Sequence, residues 1–120
     1  MKKFIFTLLS LGVAVQVVHA ASAEQYVLAV EKINETYKQD VRKFYTTLDP
    51  MQRSFNAQQQ EKFCSILSKY ADDLYQAADT NRAYLDKQYA NISKKEVIDQ
   101  VSTSKEMQML KPYGVQCNLK

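Results

Sequence analysis

The chain has 120 residues, 46% hydrophobic and 24% charged, with a formal net charge of +3, a length that builds one small domain at most. Its single histidine, His19, falls within the first twenty residues, and there is no tryptophan. Ser-His-Asp and Cys-His catalysis, histidine-bound zinc and c-type haem attachment all need an imidazole at the site, so the rest of the chain excludes them.

Lys2 and Lys3 precede an apolar run from Phe4 to Val18, and small residues follow at once. A spanning helix needs about 20 apolar residues, so the run is short for a membrane anchor and reads as a secretory signal peptide. Val18-His19-Ala20 and Ala21-Ser22-Ala23 both fit a small-x-small processing site. The expectation is a signal peptide over 1–23, cleaved after Ala20 or Ala23, and a single helical domain over 24–120. No cysteine follows the run, which closes the lipoprotein route, and the product is expected in a bacterial periplasm or secreted, with no stable membrane insertion. Cleavage removes two lysines, leaving 14 basic against 13 acidic residues. A near-neutral domain without a basic stripe gives no reason to expect nucleic acid as a partner.

Beyond the signal, strand punctuation is nearly absent and apolar residues recur at three and four. Tyr26, Val30, Ile33, Tyr37, Val41, Phe44 and Leu48 form one stripe, predicting an amphipathic helix from about Ala23 to Thr47. Asp49-Pro50-Met51-Gln52 supplies a stop and a restart, with Asp as N-cap, Pro at the first helical position and Gln completing a capping box. Phe63, Leu67, Tyr70, Leu74 and Ala77 continue with Leu85, Tyr89 and Ile92. Asp79-Thr80-Asn81 interrupts that stripe as a kink, a turn between helices or one polar turn. Ser93-Lys94-Lys95-Glu96 is a capping box opening a last helix with Val97, Ile98, Val101, Met109 and Leu110, and Lys111-Pro112-Tyr113-Gly114 ends it. The expected fold is all-α, a small antiparallel bundle of three to four helices.

Cys64 and Cys117 are the only thiols. In an exported chain an even count predicts an internal disulfide, here tying the C-terminal tail back to the bundle. There is no Cys-x-x-Cys, and two thiolates without histidine make a poor metal site. Met107 and Met109 point about 200° apart on a helix and cannot grip one ion there. Asp72, Asp79 and Asp86 line one helical face without the glycine turn of a calcium loop. Neither a metal nor a cofactor is expected, and no catalytic residue stands out.

All eight tyrosines lie beyond the signal. Tyr26, Tyr37, Tyr70 and Tyr89 share stripes with aliphatic residues and are assigned to packing. Tyr45, Tyr75 and Tyr84 fall off those stripes and are the candidates for a protein-contact patch, since tyrosine is enriched at binding hot spots. The sequence therefore points away from an enzyme and toward a binding or accessory protein of the cell envelope. The alternative is an inhibitor or immunity-type protein acting on an envelope enzyme or toxin.

Overall fold

A computed structural model describes the backbone from Lys2 and the side chains from Ala23 to Lys120. The expected signal peptide, 1–23, therefore lies outside the described side chains except for Ala23. Among the described residues there are five α-helices and no strand: α1 (Lys2–Thr46), α2 (Ala57–Thr80), α3 (Lys87–Ala90), α4 (Lys94–Ser102) and α5 (Lys105–Leu110). Short 3-10 turns lie at Arg82–Tyr84 and Lys111–Tyr113. No helix among the described residues is long and apolar enough to cross a membrane.

The stripe on α1 finds its partner on α2. Phe44 packs on Phe63, and Tyr37 stacks on Tyr70 with centroids 4.1 Å apart and planes 13° from parallel. Both pairs are spaced by two helical turns, and α2 numbering rises as α1 numbering falls, so the helices run antiparallel in matched register. The stripe on α4, Val97 and Val101, faces the same core. Phe63 and Leu67 are fully enclosed at its centre.

The α1–α2 connection differs from the expected stop and restart at Asp49-Pro50-Met51-Gln52. Asp49 Oδ1 accepts from the Met51 amide at 2.9 Å and Gln52 Oε1 accepts from the Asp49 amide at 3.0 Å, so the box closes one turn only. The helix restarts at Ala57, where a second box, Asn56-x-x-Gln59, satisfies both ends reciprocally. Gln52 Nε2 then donates to Gln59 Oε1 at 2.8 Å, binding the two boxes together. Phe55 pins the loop from below, 5.3 Å from Phe44 and 5.8 Å from Phe63 in edge-on contact.

The interruption at Asp79-Thr80-Asn81 is a true helix end. Asn81 Nδ2 donates to the Ala77 carbonyl at 2.8 Å, and the chain leaves through the 3-10 turn and α3. Phase is lost there, which corrects the assignment of Tyr89 to packing: the residue is 46% exposed. Arg82 holds this excursion in place. Nε meets Asp79 Oδ1 at 2.7 Å, Nη1 donates to the Ala90 carbonyl at 2.8 Å and Nη2 to the Ile92 carbonyl at 3.0 Å.

The expected last helix is two helices, which raises the count above three to four. Ser93 caps α4 as expected, accepting from the Glu96 amide at 3.1 Å. At the far end Thr103 Oγ1 donates to the Asp99 carbonyl at 2.7 Å and Ser104 turns extended, so backbone groups are satisfied locally and the helix breaks. The restart shifts the phase, burying Met107 and leaving Met109 64% exposed.

Gly114 then reverses the chain at φ +79°, a conformation costly for any side-chain-bearing residue. Val115 drops into the core, 2% exposed, and Cys117 bonds to Cys64 with Cα atoms 5.3 Å apart. The tail is tied back as the sequence predicts, with Gln60 Nε2 donating to the Gln116 carbonyl at 3.2 Å.

Candidate functional site

Tyr45 follows Phe44 on α1, so its side chain is rotated by about 100° from the core stripe and reaches the bundle edge. The residue is 39% exposed. The hydroxyl donates to Glu106 Oε1 at 3.1 Å, and the Tyr37 hydroxyl donates to Oε2 of the same carboxylate at 2.9 Å. Glu106 stands in the first turn of α5, so one carboxylate clasps α5 to two turns of α1. The clasp continues inward, because Tyr37 stacks on Tyr70, whose hydroxyl donates to Asn34 Oδ1 at 2.6 Å.

Burial and the Glu106 charge both favour the neutral phenol. They push Tyr45 up to about 12 and Tyr37 well above the ordinary tyrosine value, while burial alone raises Tyr70. These hydroxyls are held as protonated hydrogen-bond donors, Tyr37 and Tyr45 to Glu106 and Tyr70 to Asn34.

Beside Tyr45 a groove of 420 Å³ opens at the loop end of the bundle. Leu48, Phe55 and Leu110 give it an apolar lining, Tyr45 and Tyr113 supply exposed aromatic rings, and Arg53 brings one cation. Met51, 84% exposed, projects from the same loop.

The three contact candidates are not brought together. Tyr45 lines this groove. Tyr75 is half-buried, its hydroxyl 3.3 Å from Arg82 Nη2 and its ring 5.7 Å from the guanidinium. It lies at the other end of α2, roughly 18 Å from Phe63 along the axis at 1.5 Å per residue. Tyr84 is 49% exposed on the 3-10 turn at that far end. Sequence reasoning missed Tyr113, Phe55 and Glu106. The available signal was the spacing of Tyr37 and Tyr45, eight positions apart and so on neighbouring faces of one helix, where a single two-oxygen acceptor can serve both.

No protein-family model, curated protein or solved structure matches the chain. The functional reading therefore rests on its own residues.

Proposed function

We propose that the chain is a small, exported, non-catalytic helical binding protein of the bacterial cell envelope. It engages a protein partner by seating a large apolar side chain in the groove between Tyr45 and Tyr113. The observation that carries this reading is the Tyr45 ring held against Glu106 at the edge of an apolar groove. A contact aromatic fixed before binding loses little rotamer freedom on association, and tyrosine offers contact area with a polar tip. A disulfide closed across the fold suits an oxidising compartment, and the amino-terminal segment reads as an export signal.

The test is affinity capture from envelope extract with the oxidised protein and two single variants, Tyr113→Ser in the groove and Tyr84→Ser at the far end. A partner retained by the wild type and by Tyr84→Ser but lost by Tyr113→Ser supports the reading. A partner set indifferent to Tyr113→Ser, or no specific partner, overturns it. If the partner is one hydrolase or toxin that loses activity in a one-to-one complex, the inhibitor or immunity-type role is the correct form of the function.

A further inference from the structure

A second opening, separate from the aromatic groove, lies between α1 and α2 and encloses 560 Å³, inside the range of small-molecule sites. Its lining is layered by chemistry. Phe44, buried, and Ile66, half-buried, form an apolar base, while Lys43, Lys62 and Lys69 stand around it with Asp40.

The lysines are not equivalent. Lys69 Nζ is 3.9 Å from Asp40 Oδ2 and 3.6 Å from Asp73 Oδ2, so its charge is answered within the protein. Among the described residues, neither Lys43 nor Lys62 has a carboxylate within 4.0 Å. They come from different helices onto one groove, and Gln58 and Ser65 add neutral hydrogen-bonding groups beside them. Two unanswered cations facing an apolar base form a surface with a stated complement: an anion carrying an apolar body. The opening is also bounded. Just past Lys69 the α1–α2 seam is closed, because the Tyr37 and Tyr70 rings fill it, and it opens again only beyond them, where Ala29, Ile33, Gln76 and Ala77 line a separate 340 Å³ space. A long partner helix laid along the seam would meet that closed stretch, whereas a short amphiphile would not.

We propose that this groove binds a single-chain anionic amphiphile, with its carboxylate between Lys43 and Lys62 and its hydrocarbon chain against Phe44 and Ile66. Charge fixes which end sits at the lysines, and burial of the chain supplies affinity that exposed lysines alone do not. The proposal is independent of the protein-contact reading, since the two grooves use different residues.

The probe is decanoate, titrated below its micelle concentration into the oxidised protein and followed by backbone amide shifts. Decanol, decyltrimethylammonium and inorganic phosphate serve as parallel arms. The expected result is saturable one-to-one binding with shifts confined to residues 40–47 and 58–69. Binding should weaken about tenfold for decanol and for the double variant Lys43→Gln/Lys62→Gln, and remain unchanged in Tyr113→Ser. Both lysines are exposed, so the double variant should fold, and its amide spectrum verifies that directly. Absence of saturation, equal affinity for decyltrimethylammonium, wild-type affinity in the double variant, or shifts at the Tyr113 groove would each overturn the proposal. Phosphate reproducing the decanoate shifts at similar concentration would also overturn it, by showing a bare anion site.

Discussion

Tyr37 and Tyr45 share one carboxylate, each donating to a different oxygen of Glu106 at 2.9 and 3.1 Å. Their folded-state ionisation is shifted upward, Tyr45 to about 12, against about 10 in an unfolded chain. The folded state thus holds protons that the unfolded state releases, and the contribution is complete below pH 10 and lost as pH rises from there through 12. Urea midpoints should fall steeply above pH 10. Part of the phenolate absorbance should appear only on unfolding, and Tyr37→Phe and Tyr45→Phe should each shrink that delayed fraction. A simple titration of all eight tyrosines in the folded protein would contradict the clasp.

Opening the Cys64–Cys117 bridge frees a loop spanning a sequence separation of 53. The chain-entropy relation gives a loss of roughly 4 kcal/mol, large against a typical net stability of about 5–15 kcal/mol. Urea unfolding of the Cys64→Ala/Cys117→Ala variant should show this drop, and amide exchange should show Val115 losing its protection first.

Arg82 joins Asp79, Ala90 and Ile92 through a planar fork that an ammonium cannot reproduce. Arg82→Lys should therefore resemble Arg82→Ala. Both should speed amide exchange across α3 while leaving the α1–α2 pair protected. Uniform acceleration through the whole chain would show that the segment is not held locally.

The two methionines of α5 provide a paired measurement of the phase change at Ser104. Met107→Ala removes a side chain that is 8% exposed and should cost about 2–3 kcal/mol. Met109→Ala, at 64% exposure, should stay within about 0.5 kcal/mol. Reversed values in equilibrium unfolding would mean an unbroken helix from α4.

Much of this architecture is readable from residue order, and the unreadable parts share a cause. Val41 and Phe44 fall where the α1 stripe puts them, Ser93 caps α4, and the lone cysteine pair leaves one pairing. Periodicity failed where short polar side chains bonded to nearby backbone. Thr103 ends α4 by returning its hydroxyl to Asp99, and two boxes of similar chemistry, Asp49–Gln52 and Asn56–Gln59, compete to start α2. Phe55, wedged between Phe44 and Phe63, accompanies the second, a tertiary contact with no local signature. The candidate grooves were less legible still. Tyr45 was found by its position off the stripe, yet Tyr113 joins it only because Gly114 and the breaks flanking α5 turn the chain, and Tyr75 was drawn inward by Arg82. Lys43 and Lys62 line one opening only through the register of two helices.

The disulfide ring runs from Cys64 to Cys117 and so encloses most of α2, α3, α4, α5 and the tail. Helix α1 stands outside it, held by packing, the Glu106 clasp and the single peptide strand through Met51. A protease that nicks the backbone between Arg82 and Ala90 would leave both pieces tethered through sulfur. One that cuts beside Met51 would leave α1 with no covalent hold, and both grooves would lose a wall together.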